Sequence, residues 1–429
     1  MKFEQKINNF LNKIPFIKKY IKRIYQLLMY IFSKKIKFEG NVKKMSPNDD
    51  YEYFFGYYDK SPWDIKNRYM LCLKAKNTYK NVAPNKEADI VIIDTKEPID
   101  SNKRVKIVTS TSSWNVQQGC MLQWLGPDFQ SKIIYNDFQN NKFCSIILDL
   151  KTNKKTIIDA PVYSVSNDGA FALTLDFSRL NTLRPGYGYA NKPDETKGIA
   201  IPDGPCIWKV DLTKNEIIPI MEYDKIVNFE PREEMNGAVH KVNHIMINPS
   251  GNRFMFLHRW FKGNRKYSRL LTCDINGGNL YNLSDDNMVS HCYWKNDEEI
   301  FAYLNKKNLG NGYYLMKDKT NEFTKCCFTL TGDGHPSFSP NLKYIVTDSY
   351  PDRKRIQNLY LINAKNLEKA NPMVIARVFS PFKYDNDTRC DLHPRWNRNS
   401  TEICIDSVFE GKRGLYVVNV EELVNKNET

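Results

Sequence analysis

The chain has 429 residues, of which 41% are hydrophobic and 26% charged, as in soluble globular proteins with a sizeable core. Its formal net charge is +14, yet residues 1–45 alone hold 12 lysines and arginines against two acids. Most of the positive charge therefore belongs to a short N-terminal segment. This distribution argues against a basic nucleic-acid binder, and we expect no nucleic acid among the partners.

The first predicted element is a basic amphipathic helix within residues 1–45. Apolar residues recur at helical spacing and form one stripe: Ile17, Tyr20, Ile21, Ile24, Leu28 and Ile31. Polar residues fall on the opposite face: Lys18, Lys19, Lys22, Arg23 and Gln26. Such a helix can lie in the headgroup layer of an anionic membrane, and the alternative is that its apolar face docks on the protein body.

The compartment is predicted from the same segment and from the cysteines. The apolar run Ile24–Phe32 is too short to span a bilayer, and no small-residue cleavage site follows it. The ten cysteines are scattered without a CxxC pair, so buried free thiols and a reducing compartment are expected. We therefore predict a cytoplasmic protein, peripheral on the inner membrane surface.

After residue 45 the chain repeats one unit seven times. Each unit is a polar residue, a short apolar run, a turn and a second apolar run. The units start near Tyr57 and then cover Gln118–Asp159, Tyr163–Met221, His244–Asp285, His291–Cys327, His335–Val378 and Asp391–Val424. The period and the short aromatic-rich strands predict an all-β fold, a seven-bladed β-propeller over residues 46–429, preceded by the N-terminal amphipathic helix and linker of residues 1–45.

Four of the six histidines occupy the same position in this repeat. They are His244, His291, His335 and His393, and each opens the first strand of its unit. If the units close into a ring, the four imidazoles converge on the central axis. A metal ion or an anionic ligand is then expected where these first strands begin, at one mouth of the central channel of the ring.

A divalent metal site is predicted from four of these mouth residues. Asp391 and His393 are two residues apart in an extended segment, which places both side chains on one face. Together with His291 and His335 they offer the nitrogen and oxygen ligands of a divalent metal site. The alternative is that the channel histidines bind each other, water or backbone.

In each unit the second strand ends at the mouth of the channel where the first strand begins, so polar residues at the ends of second strands also lie at that mouth. His258 and Arg259 end one such strand, where arginine suits a carboxylate and histidine can move a proton near neutral pH. The alternative is a surface salt bridge beside a packed histidine. Arg179 ends another second strand, and Gln118 precedes the first strand of the second unit.

The third unit contains a long insertion, about Leu180 to Asp203. It begins with arginines and tyrosines interspersed with glycines, which make the backbone flexible, and we predict that it folds over the mouth of the channel. An ordinary surface insertion is the alternative. The ligand contacts expected from this loop are Arg184, Tyr187 and Tyr189.

The repeat order and the histidine placements resemble the oligogalacturonate lyase family of seven-bladed propellers, with a more distant likeness to TolB-type propellers. The matching segments lie in the last half of the chain: HIMINPSGNRFMFLH with Arg265 and Arg269 soon after, SHCYWKNDEEIFAY, and LHPRWNRNSTEICIDSVFEGKRGLYVV. The resemblance implies a manganese ion on mouth histidines and cleavage of uronides by β-elimination. By position it implies that His291 and His393 bind the metal, while His244 and His258 line the substrate pocket.

The chain departs from that family in its last unit. The family pattern resembles Gln-x-x-His-Pro-His-Pro, whereas this chain has Asp391 in place of the first histidine and lacks the glutamine. Arg259 replaces part of an acidic stretch, and His335 matches the blade pattern rather than a family ligand position. GxSxG, P-loop, dinucleotide GxGxxG and HExxH motifs do not occur, which argues against those enzyme classes.

Three functions follow from these patterns. In the first, a divalent metal, with manganese as the candidate, is held by His291, His335, Asp391 and His393 and binds the carboxylate of an acidic oligosaccharide. His258 or Arg259 accepts the proton, Tyr187 or Tyr189 assists the leaving oxygen, and substrate contacts come from Gln118, Arg179, Arg184 and His244. The alternatives are a non-catalytic saccharide-binding or scaffold propeller in bacterial cell-surface polysaccharide biosynthesis, and a protein-interaction propeller with no sugar ligand.

Overall fold

Short strands separated by Asn, Asp, Gly and Pro turns form seven antiparallel sheets in the computed structural model, which describes residues 15–32 and 36–425. In five sheets the strands follow one another in chain order, and each of the other two adds one strand from the N-terminal segment; each sheet is one blade. The seven sheets confirm the predicted seven-bladed β-propeller. Each predicted repeat corresponds to one blade.

Blades 1 to 4 use sixteen strands, β3 to β18. Blade 1 contains β3 (Glu52–Phe54), β4 (Tyr69–Ala75), β5 (Ala88–Asp94) and β6 (Val105–Thr111). Blade 2 contains β7 (Gln123–Trp124), β8 (Lys132–Gln139), β9 (Lys142–Asp149) and β10 (Lys155–Ile158). Blade 3 contains β11 (Ser164–Val165), β12 (Phe171–Thr174), β13 (Pro205–Asp211) and β14 (Glu216–Glu222). Blade 4 contains β15 (Val239–Ile247), β16 (Arg253–Lys262), β17 (Arg265–Asp274) and β18 (Tyr281–Ser284).

Blades 5 to 7 use the remaining strands. Blade 5 contains β19 (Val289–Trp294), β20 (Glu299–Lys306), β21 (Gly310–Lys317) and β22 (Phe323–Cys326). Blade 6 contains β23 (Ser337–Phe338), β24 (Tyr344–Asp348), β25 (Ile356–Asn363) and β26 (Met373–Phe379). Blade 7 contains β27 (Arg395–Trp396), β28 (Glu402–Ser407) and β29 (Gly414–Asn419).

Two N-terminal strands that the sequence pattern did not indicate complete the last two blades. β1 (Phe38–Gly40) pairs with β26 of blade 6, and β2 (Val42–Lys44) pairs with β29 of blade 7. The outer edge of each blade is therefore covered by chain from the opposite end of the sequence. This pairing ties the N-terminal segment to the blades that end the propeller.

Within residues 15–32 and 36–425 the helices are few, and all but the first of them are short. They are α1 (Pro15–Ile31), α2 (Phe177–Leu183), α3 (Tyr223–Asn228) and α4 (Glu421–Asn425). Three single 3-10 turns occur at Glu233–Met235, Ala364–Asn366 and Asn386–Thr388. No helix among the described residues is long and apolar enough to cross a membrane.

The core lies between adjacent blades. The largest cluster joins blades 2, 3 and 4 through residues such as Ile134, Ile207 and Phe256. The first strands of two blades carry a tryptophan whose indole N–H donates to a carbonyl of the preceding blade. Trp294 donates to Met246 at 3.0 Å and Trp396 to Ser337 at 3.2 Å. Neighbouring blades are thus fixed by apolar burial and by a directional bond.

All ten cysteines are buried and unpaired, as the sequence analysis expected. Burial raises the pKa of their thiols, for example that of Cys404 to about 12 and that of Cys144 to about 11. The thiols are therefore protonated and unreactive at neutral pH. They act as small apolar side chains of the core.

Helix α1 contacts the propeller through polar and aromatic side chains rather than through the predicted apolar stripe. Arg23 pairs with Asp385, and Tyr30 stacks on Phe379 with ring centroids 5.1 Å apart. The apolar side chains instead face solvent: Tyr20, Ile21, Ile24, Leu28 and Ile31, together with Tyr25, Leu27 and Phe32. The helix is present as predicted, but its exposed apolar residues extend beyond a single stripe.

The strand pairing of the N-terminal segment predicts a difference between two truncations. Removing residues 1–44 deletes β1 and β2 and leaves two blade edges unpaired, whereas removing residues 1–32 leaves both strands in place. At about 0.5–1.5 kcal/mol for each backbone hydrogen bond, we expect the longer deletion to lower the free energy of unfolding by several kcal/mol more. Urea unfolding of the two proteins measures the difference, and equal midpoints would contradict it.

Candidate metal and anion site

Three of the four repeat histidines, His291, His335 and His393, lie close together at one mouth of the channel. Ring centroids of His291 and His335 are 4.1 Å apart, and those of His335 and His393 are 4.3 Å apart. His244 follows at 6.2 Å from His291. His244 and His393 have positive φ values of 59° and 45°, a left-handed backbone conformation that is strained for residues other than glycine.

Three of the predicted metal ligands form a compact set. The candidate ligand atoms of His335, Asp391 and His393 lie within 4.8 Å of one another, and all three residues are buried. Among the described residues, His335 Nε2 and His393 Nε2 have no hydrogen-bond partner, and Asp391 Oδ2 has none apart from its ion pair with Arg389 Nε at 2.9 Å. Buried imidazole nitrogens without partners are costly, and together with the carboxylate they fit a divalent metal that takes nitrogen and oxygen ligands.

The fourth predicted ligand, His291, stands beside this set, and a carboxylate contacts its Nδ1 as one contacts that of His335. Its Nδ1 lies 3.0 Å from Asp333 and 3.3 Å from Ser290 Oγ. The pKa of His291 is held well below its usual value by burial and by His335. His291 is therefore neutral, and its ring forms part of the wall between the three-residue set and the cavity described below.

Acidic and basic neighbours orient the three candidate ligands. Asp348 accepts from His335 Nδ1 at 2.8 Å, which turns Nε2 of that ring toward the centre of the cluster. Arg389 Nε donates to Asp391 at 2.9 Å. Burial alone would lower the pKa of His335, but the Asp348 carboxylate outweighs it and raises the pKa. A carboxylate behind a histidine is the arrangement that orients metal ligands in other proteins.

A cavity of about 430 Å³ opens above this set. Its walls come from five blades, from the insertion of blade 3 and from helix α1. The lining includes Gln26, Tyr57, Arg184, Tyr187, Arg259, Lys266, His291, Asp333, Tyr350, Arg355, Asp385 and Arg389. Tyr57 connects the cavity to the metal set, because its ring lies 5.1 Å from that of His393.

Positive charge gathers on the blade 4 side of the cavity. Lys241 and Arg259 are buried and stand directly opposite each other on β15 and β16. Like charges in this position repel, and no acidic side chain pairs with either among the described residues. Burial, together with the Arg184 charge, lowers the pKa of Arg259. An anionic ligand in the cavity would relieve the repulsion.

Lys266 stands at the rim of the same cationic patch. The charge of Arg259, and then burial, lowers the pKa of this amine to about 7. The side chain is exposed at the rim, and the lowered pKa increases the fraction of neutral amine near neutral pH. The cavity thus contains an amine that can accept a proton near neutral pH.

Two residues of the blade 3 insertion lie where they were predicted. Arg184 and Tyr187 both line the cavity, and the Arg184 guanidinium lies 4.1 Å from the centroid of the Tyr187 ring. The Tyr187 hydroxyl is buried and has no hydrogen-bond partner among the described residues. It is therefore available to a ligand. The insertion folds over the mouth, as the sequence analysis expected.

Two predicted site histidines, His258 and His244, do not line the cavity. His258 is buried inside blade 4, where its Nε2 contacts His240 at 2.9 Å and its Nδ1 accepts from Arg269 at 3.1 Å. Strand alternation turns His258 away from the channel that its neighbour Arg259 faces. His244 lies deeper in the channel, where the hydroxyls of Tyr57 and Tyr58 contact its two ring nitrogens.

Three other predicted ligand contacts are buried structural residues and do not line the cavity. The Tyr189 ring stacks on Phe177 at 4.5 Å, and its hydroxyl accepts from Asn136. Arg179 donates to the backbone carbonyl of His240 and fixes the insertion to blade 4. Gln118 donates to the Tyr163 hydroxyl at 2.9 Å. These five residues do not line the cavity because position in the repeat predicts which end of the channel a residue is near, but not how deeply its side chain is buried.

The sequence analysis missed several cavity residues. Asp333 and Arg389 precede the histidines of blades 6 and 7 by two and four positions, a spacing that could have marked them as mouth residues. Lys266 follows the hairpin turn between β16 and β17, and these strands are ten residues each. The extra strand length carries Lys266 to the rim, and no local signal reveals it.

The chain has no match among protein-family models, and no curated protein matches it in sequence. Its structure is similar to an oligogalacturonate lyase from Vibrio parahaemolyticus, with a TM-score of 0.60 and 13% identity over 91% of this chain and 98% of that one. It is also similar to an oligogalacturonate lyase in complex with manganese, with a TM-score of 0.63 and 15% identity over the same shares. TolB from Acinetobacter baumannii is more distant, with a TM-score of 0.38 and 16% identity over 74% of this chain and 68% of that one.

The molecule is a seven-bladed β-propeller with a polar, cation-rich cavity above a buried His-Asp-His set. Its fold is that of the oligogalacturonate lyases, which confirms the resemblance expected from the repeats. At these identities the likeness establishes the fold. The chemistry is argued below from the residues of this chain.

Proposed function

We propose that the protein is a metal-dependent enzyme of lyase type that binds an acidic oligosaccharide in the cavity and cleaves it by β-elimination. The observation that carries this proposal is that two features lie together at one mouth of the channel. One is the buried set of His335, Asp391 and His393, in which both imidazole Nε2 atoms lack a hydrogen-bond partner among the described residues. The other is the cationic patch of Lys241, Arg259 and Lys266, in which the buried Lys241 and Arg259 stand directly opposite each other.

His335, Asp391 and His393 would hold the divalent metal, for which the manganese-bound structural neighbour makes manganese the first candidate. When bound, the metal would neutralise the uronate carboxylate and acidify the adjacent α-proton. Arg259 and Arg184 would bind further carboxylates of the chain, since a guanidinium matches a carboxylate with two parallel hydrogen bonds. The insertion would exclude water above the bound sugar.

The proton transfers are assigned to two side chains of the cavity. Neutral Lys266 takes the α-proton, the carbon–oxygen bond to the leaving sugar breaks, and a carbon–carbon double bond forms. The Tyr187 hydroxyl gives its proton to the departing oxygen. Lys266 replaces His258 as the proton acceptor, because both ring nitrogens of His258 are engaged inside blade 4.

The proposal is tested by incubating the purified chain with manganese and a panel of oligouronides. We expect an unsaturated uronide, detected by its ultraviolet absorbance and by mass spectrometry. The Tyr187→Phe variant keeps the ring and removes the proton donor, so it should slow the reaction about 100-fold or more. Absence of any unsaturated product, together with absence of bound metal by elemental analysis, would reject the proposal.

A pH dependence follows from the pKa of Lys266. Because the amine accepts a proton only when neutral, kcat/KM, which reports the free enzyme, should rise as pH increases through about 7 and then level off. Lys266→Met should lower kcat/KM about 100-fold and remove its rise with pH. Lys266→Arg keeps the charge but cannot lose its proton, so it should also lower kcat/KM and remove the rise with pH. A rise with pH that persists unchanged in both variants would contradict the assignment.

Membrane attachment is a further part of the proposal. The exposed apolar residues of α1 and the excess of basic residues in residues 1–45 support a peripheral position on an anionic membrane, on the cytoplasmic side. The same feature favours one second candidate, a non-catalytic saccharide-binding propeller in polysaccharide assembly. That candidate predicts uronide binding and no unsaturated product.

A further inference from the structure

Helix α1 belongs to two surfaces at once. Gln26, in the middle of the helix, is 8% exposed and lines the cavity beside Arg355 and Asp385. Ile24 and Leu28, two residues before and after it, are 57% and 47% exposed. Residues two apart lie on opposite sides of a helix, so one side of α1 faces the cavity rim and the other exposes apolar side chains to solvent.

Specific contacts hold the helix in this position. Arg23 pairs with Asp385, which itself lines the cavity, and Arg353 donates to the Tyr25 hydroxyl at 3.1 Å. Tyr30 packs against the rings of Phe379 and Phe382. These contacts use the polar and aromatic side of the helix, so docking on the propeller leaves the aliphatic residues uncovered.

The charge of the segment identifies what covers these aliphatic residues. Residues 1–45 hold 12 basic residues and two acids, which suits an anionic lipid surface better than a protein partner of ordinary charge. An interfacial helix buries its apolar side chains about 5–10 Å into the boundary between headgroups and acyl chains. The helix is about 10–12 Å across, so the cavity rim would lie roughly that far from the lipid.

We propose that the acidic saccharide bound by the cavity is carried on a lipid, and that α1 holds the rim against the membrane so that the saccharide enters from the lipid surface. This inference rests on the proposed function, because it takes the cavity to bind an acidic saccharide. An anchored saccharide within reach of the rim has a high local concentration, so binding to the membrane and binding of the sugar reinforce each other.

The experiment compares one sugar in two forms. A galacturonate disaccharide is used free in solution, and the same disaccharide is coupled to a dioleoylglycerol anchor in vesicles of phosphatidylcholine and phosphatidylglycerol. The full chain carrying Tyr187→Phe, which slows cleavage so that the sugar survives, is titrated with each form in the presence of manganese, and affinity is measured by calorimetry and by vesicle flotation. We expect at least about tenfold tighter apparent binding to the anchored form.

Two matched variants separate the membrane contribution. Ile24→Glu with Leu28→Glu places two acids on the exposed side of α1. This variant should lose the tighter binding of the anchored disaccharide, while its affinity for the free disaccharide should be unchanged. The control, Ile157→Glu with Ile218→Glu, makes the same change at residues that are 50% and 46% exposed on β10 and β14. The control should keep the tighter binding.

Other outcomes would overturn the inference in distinguishable ways. Equal affinity for the two forms rejects the lipid-borne substrate and leaves the proposed function standing. Failure to bind either form rejects both. A dimer in sedimentation velocity that the α1 variant dissociates, without vesicle binding, shows that a second copy of the chain covers the helix, and this also overturns the inference.

Discussion

Replacing His335 or His393 by alanine is expected to abolish stoichiometric binding of a divalent metal. Each change removes a buried imidazole nitrogen that has no other partner among the described residues. Loss of a residue that merely orients a metal ligand costs about 10–100-fold in affinity, so loss of a ligand should cost at least as much. Elemental analysis after gel filtration in manganese measures the metal content.

His240 offers a matched control for these histidine variants. It is a buried histidine of the same chain, lies in blade 4 and contacts His258 rather than the metal set. His240→Ala should lower the stability of the protein and leave the metal content unchanged. If His335→Ala and His393→Ala retained the metal, the His-Asp-His set would not be the metal site.

Replacing Asp406 by alanine is expected to destabilise the propeller by about 3–5 kcal/mol. Asp406 pairs with Arg395 at 2.9 Å, and both side chains are almost completely buried. The same carboxylate accepts from the backbone N–H groups of Phe55 and Gly56 of the first blade. Its loss leaves Arg395 as an unpaired buried charge at the junction between the last blade and the first.

Urea unfolding of the Asp406→Ala protein measures this cost. The double variant Arg395→Met with Asp406→Ala removes the unpaired charge as well, so it should be more stable than the single variant. A single variant within about 0.5 kcal/mol of the parent would show that the junction does not depend on this pair.

The fold could be predicted from sequence because the repeat is a local pattern. Each unit carries the same apolar runs and turns, and a ring of blades is the arrangement that buries both faces of every sheet. The convergence of His291, His335 and His393 followed from their common register. Strands β1 and β2 could not be predicted, because each has three residues and becomes a strand only by pairing with a distant blade.

The depth and partners of the site residues could not be predicted. His258 and Arg259 are neighbours in sequence, yet only Arg259 faces the cavity, because the strand continues past the point where it was expected to end. Tyr187 and Tyr189 share a loop, but Tyr189 is drawn into the core by stacking on Phe177. Such choices depend on tertiary packing, which a single sequence does not reveal.

The most direct test of the account is an anomalous diffraction measurement on crystals of the full chain grown with manganese. The account predicts one strong anomalous peak among Nε2 of His335, Nε2 of His393 and the carboxylate of Asp391, next to the cationic cavity. A map that shows no peak there at saturating manganese, or a peak only at another site, would contradict it.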